Sequence, residues 1–202
     1  MCGIWSLINN KSITNQQIKL YEKMFNTIKS RGPDNSSLFF HNNIALGFHR
    51  LAIHDLSPLG DQPFIFFDKG TLYLLICNGE IYNYKELIDK YNLKSFLRSD
   101  SDCEIIYHLF KNFNFNMQKV VDELRGEFAF IFTQINSDNN IIQYIVRDQF
   151  GVRPLFYSQK TNQQYMFSSL LSGITNKVPN RIEDCITNKV PNRIEDCITN
   201  KV

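Results

Sequence analysis

Two stretches of the chain, each made of two strand-like runs around a short polar turn, restrict the fold more than any other feature. The first joins "SLFFH" to "IALGFHRLAI" through Asn42 and Asn43, and the second joins "EFAFIFTQI" to "IIQYIVRD" through "NSDNN". Short turns of this kind connect antiparallel neighbours, whereas parallel strands need a long crossover. The sequence therefore predicts antiparallel pairing.

Further strands and helices surround these hairpins. "GIWSLI" predicts a buried strand at the start of the chain, a turn at "DKG" precedes the strand "TLYLLIC", and "PLFYS" and "YMFSS" are two shorter strands near the end. Helices are predicted over Thr14–Ser30 with Thr14 as N-cap, from about Tyr84, from about Asp102, and over about Met117–Leu124. Strands in two groups with helices between them favour an α+β fold over βαβ winding.

Composition excludes several functional classes. The 202 residues carry a net charge of only +2, and Lys and Arg alternate with Asp and Glu, so no basic patch for nucleic acid is predicted. No apolar run reaches the roughly 18–20 residues that a membrane span requires, and no secretory signal is visible.

Cysteine and histidine usage indicates a reduced compartment and no metal site. The five cysteines are odd in number and irregularly spaced, which favours a cytoplasmic location over a disulfide-bonded, secreted one. The four histidines lack the spacing of metal ligands, so the prediction for metal is none.

The last part of the chain is a short tandem repeat. "ITNKVPNRIEDC" occupies residues 174–185, recurs without change at 186–197 and restarts at 198. A repeat of this length is too short and too polar to bury a core of its own, and its identity indicates a recent duplication or a cloning artefact. The predicted domains are therefore 2–173, a globular domain, and 174–202, a poorly ordered tail without catalytic function.

Cys2 is the first residue that suggests chemistry. If Met1 is removed, Cys2 carries both a thiol and a free α-amine, with ordinary pKa values near ~8.5 and ~7.7–8.0. The amine can then accept the thiol proton and activate the nucleophile without a histidine. The alternative at this position is a small buried apolar residue.

The segment "CNGEIYNY" is the second feature that suggests chemistry. Asn78 and Gly79 follow an apolar strand, and the Asn78 amide together with the Gly79 N–H would make an oxyanion hole at the strand end. The alternative is an ordinary Asn-Gly turn.

Two charged residues complete the set. Arg50 lies in an apolar strand, where a guanidinium needs a carboxylate from a distant residue or from a ligand. Asp102 is either the N-cap of the following helix or an acid that binds a ligand ammonium. "RGPD" and "RDQFGVRPLFY" are predicted to hold loops in place.

Seven motifs in order, "MCGI", "RGPD", "HRLAI", "NGEIYNY", "SDSDCE", "LRGEFAF" and "RDQFGVRPL", resemble the glutamine amidohydrolase domain of glutamine-hydrolysing asparagine synthetases. This is a class II glutamine amidotransferase of the N-terminal nucleophile (Ntn) hydrolase superfamily. The resemblance spans about residues 2–170 and implies a four-layer αββα sandwich of two antiparallel sheets between helices.

The resemblance also implies roles for individual residues. Cys2 would attack the side-chain amide of L-glutamine and form a glutamyl thioester, and Asn78 and Gly79 would hold the oxyanion. Arg50 would bind the α-carboxylate of the substrate. The remaining substrate-binding positions are Glu80 and Asp102 at the α-amine, and the backbone of Ile53 and His54. Glutamate and ammonia for asparagine biosynthesis would be the products, with no cofactor needed for this step.

Two departures separate the chain from that family. The ATP-binding "SGGxDS" loop of the synthetase domain is absent, so ATP and Mg²⁺ would belong to the synthetase domain that is missing here. "FSSLLSG" stands where the family has a "FASE"-like segment, close to where ammonia would leave.

Three hypotheses follow. The first is a working glutaminase that supplies ammonia alone or to a separate synthetase chain. The second is a truncated, inactive relative that binds glutamine or a partner protein. The third, an Ntn peptidase, is disfavoured because a clamp of Arg50 and Asp102 suits a free amino acid.

Overall fold

The computed structural model describes residues 1–160, 164–174 and 198–199. Within these residues the strands are β1 (Gly3–Ile8), β2 (Asn35–His41), β3 (Ile44–Arg50), β4 (Phe64–Asp68), β5 (Thr71–Ile81), β6 (Gly126–Ile135), β7 (Ile141–Arg147), β8 (Phe156–Lys160), β9 (Gln164–Ser168) and β10 (Ile198–Thr199). The helices are α1 (Asn15–Asn26), α2 (Tyr84–Lys90), α3 (Ile105–Asn112) and α4 (Met117–Glu123).

The described residues divide into two units. Unit 1 contains Met1–Leu51 and the described residues between Pro154 and Ile174, and unit 2 contains Ala52–Arg153 and β10. Each unit has one sheet with its own helices packed against it.

The sheet of unit 1 has the order β2-β3-β1-β9-β8, and every pair in it is antiparallel. β2 and β3 form the predicted hairpin, with Asn42 at φ 49° in the turn. Trp5 is fully buried under α1, and its indole N–H donates to the Gly173 carbonyl at 2.7 Å. The predicted first strand and first hairpin are thus confirmed.

Helix α1 starts where the sequence predicts and stops earlier. The Thr14 side chain accepts from the Gln17 N–H, and the Gln17 side chain accepts from the Thr14 N–H, which is a complete capping box. The predicted end at Ser30 is wrong. The helix ends at Asn26, where the Thr27 hydroxyl donates to the Met24 carbonyl at 2.7 Å, and a 3₁₀ turn follows at Lys29–Arg31.

The sheet of unit 2 has the order β10-β7-β6-β5-β4. Its pairs are antiparallel except for the two-residue β10, which runs parallel to β7. Helices α2, α3 and α4 pack on this sheet through an aromatic-rich core, in which Tyr107 stacks on Phe66 and Phe110 contacts Phe132. The predicted α+β class is therefore confirmed.

The predicted tail lies almost wholly outside the described residues. Ile174, the first residue of the repeat, is 2% exposed and belongs to the core of unit 1. The prediction that the repeat is poorly ordered stays a prediction. Among the described residues, no helix is both long and apolar enough to cross a membrane.

Candidate active site

Cys2 directly precedes β1 and lies beside the end of β3. The Leu51 N–H donates to the Cys2 sulfur at 3.4 Å, and the sulfur lies 3.5 Å from the Leu51 carbonyl oxygen. β1 and β3 pair Gly3 with His49, so the next position in this antiparallel register sets Cys2 opposite Arg50. Unit 1 therefore brings the predicted nucleophile and the predicted carboxylate-binding residue to the same end of two adjacent strands.

A second arginine holds the Cys2 backbone. The Arg31 side chain donates from Nε to the Cys2 carbonyl at 3.1 Å. Arg31 ends the 3₁₀ turn after α1 and begins the "RGPD" motif. This contact fixes the backbone of the residue that would carry the thiol, a function that sequence reasoning did not assign to Arg31.

Arg50 is the last residue of β3 and is 8% exposed. The "RGPD" loop packs on its backbone, where the Asp34 N–H donates to the Arg50 carbonyl at 3.0 Å. A Cβ on Gly32 would collide with the His49 carbonyl and lie 2.5 Å from the Arg50 carbonyl carbon. The predicted loop-holding role of "RGPD" is therefore confirmed, and Gly32 is required because the two backbones touch.

His49, which sequence reasoning left unassigned, is fully buried next to Arg50. Its ring stacks on Phe25 with centroids 3.8 Å apart, Nε2 is 3.1 Å from the Phe25 carbonyl, and Nδ1 is 2.7 Å from the Ser36 hydroxyl. A carbonyl can only accept, so Nε2 carries the proton and Nδ1 accepts from Ser36. Burial lowers the pKa of His49, which keeps the imidazole neutral.

Asn78 and Gly79 lie inside a strand in unit 2. β5 continues through both residues to Ile81 and pairs Asn78 with Ala129 and Gly79 with Phe128 on β6. The prediction that the strand ends before them is wrong, and so is the alternative of an Asn-Gly turn. Pairing to β6 extends β5 despite the weak strand propensity of this segment.

The Gly79 N–H nevertheless points away from β6. The backbone N–H and C=O of Phe128, the residue opposite Gly79, bond to Asp148 on the other side. Gly79 and Phe128 are therefore a non-hydrogen-bonded pair, in which the strands approach closely. A Cβ on Gly79 would lie 2.6 Å from the Phe128 Cβ, so only glycine fits here.

The Asn78 side chain supplies the second predicted donor. Asn78 is 2% exposed, and its Nδ2 has no hydrogen-bond partner within the described part of the chain. A buried amide without a partner costs about 1–3 kcal/mol. Such a cost is typical of a group that is reserved for a ligand.

Asp102 lies near the same end of β5. Its Oδ2 accepts from the Ile81 N–H at 2.6 Å, and the Cys103 thiol lies 3.7 Å from Oδ1. Asp102 is 3% exposed, and burial raises the pKa of its carboxyl group, an effect that the hydrogen bond from Ile81 and nearby His54 oppose.

The alternative of Asp102 as a helix N-cap is wrong. Ser101 is the cap, because its hydroxyl accepts from the Cys103 N–H at 3.4 Å, and the turn that it caps is a 3₁₀ turn at Asp102–Glu104. Helix α3 begins only at Ile105.

The three remaining predicted residues lie at the surface of unit 2. His54 Nε2 is 3.7 Å from Glu80 Oε1, and the two side chains are 40% and 48% exposed. The Ile53 side chain is 70% exposed, as expected for a residue that would act through its backbone. Unit 2 thus brings His54, Glu80 and Asp102 together around the end of β5.

Glu104 holds the loop before Asp102, and sequence reasoning missed it. Its fully buried carboxylate accepts from the Ser99 N–H at 2.8 Å, the Ser99 hydroxyl at 2.6 Å and the Arg98 N–H at 3.1 Å. Burial raises the pKa of Glu104, but hydrogen bonds from His108, Ser99 and Arg98 outweigh it and lower the pKa to about 2.

Asp148 holds the loop of "RDQFGVRPLFY" in the same way, by accepting hydrogen bonds from backbone N–H groups. Its buried carboxylate accepts from four backbone N–H groups at 3.0–3.2 Å, those of Phe128, Phe150, Val152 and Arg153. Arg153 in turn donates to Glu127 at 2.6 Å. The predicted loop-holding role of this motif is confirmed.

Within the described residues, no group of three or more His, Cys, Asp and Glu side chains is arranged to hold a metal ion.

The departure at "FSSLLSG" has a structural consequence in unit 1. Leu170, where the resemblance places a glutamate, is partly buried and packs against the apolar core.

The sequence profile of the glutamine amidotransferase domain family matches residues 1–191. The chain belongs to this family. It is 34% identical over 171 residues to asparagine synthetase [glutamine-hydrolyzing] 1 of Bacillus subtilis, a match that covers 83% of this chain and 26% of the relative. A probable asparagine synthetase of Acanthamoeba polyphaga mimivirus is 40% identical over 163 residues, with 78% of this chain and 27% of the relative covered.

A solved structure supports the fold of this glutamine amidotransferase domain. Glutamine phosphoribosylpyrophosphate amidotransferase from B. subtilis, complexed with ADP and GMP, superposes with a TM-score of 0.66 at 19% identity, covering 83% of this chain and 42% of that one. This likeness shows the Ntn-type fold. The chain spans only about a quarter of the length of the two asparagine synthetases.

Proposed function

We propose that this domain hydrolyses the side-chain amide of L-glutamine with Cys2 as the nucleophile. The observation that carries the proposal is the contact of the Cys2 sulfur with the Leu51 backbone, one residue after the buried Arg50. A thiol and a guanidinium at one strand end suit a substrate with a carboxylate at one end and an amide at the other.

The chemical step starts after removal of Met1, which is 51% exposed and thus accessible. The freed α-amine of Cys2 takes the thiol proton, and the sulfur bonds to the amide carbon of glutamine. The C–N bond of the tetrahedral intermediate then breaks, and the nitrogen leaves as ammonia with the proton held by the amine. Water attacks the resulting thioester, which releases glutamate and restores the thiol.

Asn78 and Gly79 would stabilise the negative oxygen of both tetrahedral intermediates. The unpartnered Asn78 amide and the outward-directed Gly79 N–H support this role, because both donors are fixed before the charge develops. Neither donor needs to break a bond within the described residues in order to act, so no reorganisation opposes the step.

Charge complementarity would hold the rest of the substrate. Arg50 would bind the α-carboxylate, Glu80 and Asp102 would face the α-amine, and the backbone of Ile53 and His54 would also contact the substrate. Burial raises the pKa of the Asp102 carboxyl, so a ligand ammonium would stabilise its charged form. No cofactor is needed, since Cys2 supplies both nucleophile and base.

The ammonia would serve asparagine biosynthesis. The chain's relatives are named asparagine synthetases, so we propose that the partner is a synthetase domain or chain that uses ATP and Mg²⁺. Among the described residues, Cys2, Cys77 and Cys103 form no disulfide, and we propose a reduced, cytoplasmic location. Nucleic acid and membrane are not proposed as partners.

The test is glutamate release from glutamine by the protein after its mass has shown that Met1 is absent. The wild type should release glutamate, and Cys2→Ala should not. Cys77→Ala, which removes a buried thiol that takes no part in the proposed mechanism, is the matched control and should stay active. Activity in Cys2→Ala would overturn the mechanism, and an inactive wild type that still binds glutamine would favour the inactive relative.

A further inference from the structure

The edge of β5 is only partly covered by β4. β4 pairs Phe64 with Leu75 and Asp68 with Thr71, so it covers the edge of β5 no further than Leu75. Beyond that point Cys77, Gly79 and Ile81 present their N–H groups on the same side, because alternate residues of a strand point their N–H groups in one direction. Three backbone donors in a row therefore lack a neighbouring strand.

Gln62 covers the first of these donors. The register of β4 against β5 sets residue 62 opposite Cys77, but the chain leaves the strand before Phe64. The Gln62 side chain accepts from the Cys77 N–H through Oε1 at 2.6 Å, where a continued strand would use its backbone carbonyl. Gln62 is 6% exposed, so this hydrogen bond is buried.

Asp102 covers the third donor. Its Oδ2 accepts from the Ile81 N–H at 2.6 Å. Gly79 lies between the two covered positions, and its N–H is the donor that the proposed function assigns to the oxyanion. Side-chain oxygens thus hold β5 two residues before and two residues after the proposed catalytic donor.

We propose that Gln62 is a positioning residue of the oxyanion hole. It anchors β5 at Cys77, directly before Asn78, and so sets the place of both oxyanion donors. This inference rests on the proposed function, since it assigns Gln62 to the same site. Its physical basis is that catalysis by fixed donors depends on their placement, and a displacement of about 1 Å costs up to ~10²-fold in rate.

The test compares two substitutions at Gln62 by steady-state kinetics of glutamate release. Gln62→Met has a similar shape without the oxygen, and kcat should fall at least about tenfold with KM within about twofold, because the oxyanion exists only in the transition state. Gln62→Glu keeps an oxygen at this place and should recover most of kcat. A buried glutamine elsewhere in unit 2, Gln143, donates to the Thr133 hydroxyl at 3.1 Å, and Gln143→Met is the matched control that should keep wild-type kcat.

Hydrogen exchange gives a second readout that does not need activity. In Gln62→Met the amides of residues 76–81 should exchange faster, and in Gln143→Met they should not. An unchanged kcat in Gln62→Met while the wild type is active would overturn the inference and leave the proposed function standing. Equal losses in both methionine variants would also overturn it, since the effect would then be general destabilisation. A wild type without activity would refute the proposed function, and the role of Gln62 with it.

Discussion

Replacing Glu104 by glutamine should destabilise unit 2 by about 3 kcal/mol at neutral pH. The carboxylate is fully buried and accepts from the backbone of Ser99 and Arg98 and from the Ser99 hydroxyl. Hydrogen bonds to a charged group contribute about 1.5–3 kcal/mol each, and glutamine turns one acceptor oxygen into a donor that faces other donors. The loss of one or two such bonds gives the expected value.

The same hydrogen bonds lower the pKa of the Glu104 carboxyl, which makes their contribution depend on pH. Its fall from 4.5 to about 2 corresponds to about 3 kcal/mol, at roughly 1.4 kcal/mol for each pKa unit. Because the pKa is lower in the folded state than in the unfolded one, this stabilisation is complete above pH 4.5 and disappears as the pH falls to about 2. The difference between wild type and Glu104→Gln should therefore shrink over that range.

Urea unfolding at pH 7 and at two or three values below pH 5 measures both effects. The exposed Glu86 in the first turn of α2 provides the control, and Glu86→Gln should change the free energy of unfolding by less than about 0.5 kcal/mol. A difference below about 1 kcal/mol between wild type and Glu104→Gln at pH 7 would refute the reasoning. So would a difference that grows as the pH is lowered, because that is the opposite sign of linkage.

Three further predictions concern other parts of the two units. Gly32→Ala should raise KM for glutamine several-fold and lower the free energy of unfolding by about 1–3 kcal/mol, because the added Cβ collides with the backbone beside Arg50. Steady-state kinetics measures the change in KM, and thermal unfolding measures the loss of stability. Asp148→Ala should lower the free energy of unfolding, measured in urea, by at least about 3 kcal/mol, since four backbone N–H donors lose their acceptor. The control Asp138→Ala, at an exposed turn, should lower it by less than about 0.5 kcal/mol. Equal losses in the two variants would contradict the role of Asp148 as the acceptor of these four hydrogen bonds. Burial lowers the pKa of His49 below 6.5, so the free energy of unfolding should fall as the pH drops below 6.5, and His49→Gln should flatten that slope.

Local sequence signals predicted the elements whose hydrogen bonds are local. Thr14 and Gln17 form a capping box within one turn, and β2 and β3 pair across a two-residue loop. The strand of Gly3–Ile8 matched residue for residue, because its apolar run is followed directly by the polar pair Asn9 and Asn10. In each case residues close together in the sequence determine where the helix or strand begins and ends.

Signals that depend on distant partners were missed. β5 continues through Asn78 and Gly79 because β6 pairs with it about 50 positions further along the chain, and no local pattern reports that pairing. Gln62 and Glu104 are single polar residues whose importance arises from burial against backbone donors, which composition does not reveal. Residue chemistry singled out Cys2, Arg50, Asn78, Gly79 and Asp102 as candidates. Their joint assignment to one site came from the family motifs, since spacing alone could not bring residues 2 and 50 together.

The central claim is that the sulfur of residue 2 is the nucleophile, and covalent labelling tests it most directly. A diazoketone analogue of glutamine should alkylate the Met1-free protein once, at Cys2, with loss of nitrogen, and excess glutamine should protect it. Peptide mass mapping distinguishes Cys2 from the other cysteines, of which Cys77 and Cys103 are buried. Single, glutamine-protected labelling at Cys2 is the predicted result, and labelling at another cysteine, or none at Cys2 in protein that releases glutamate, would contradict the account.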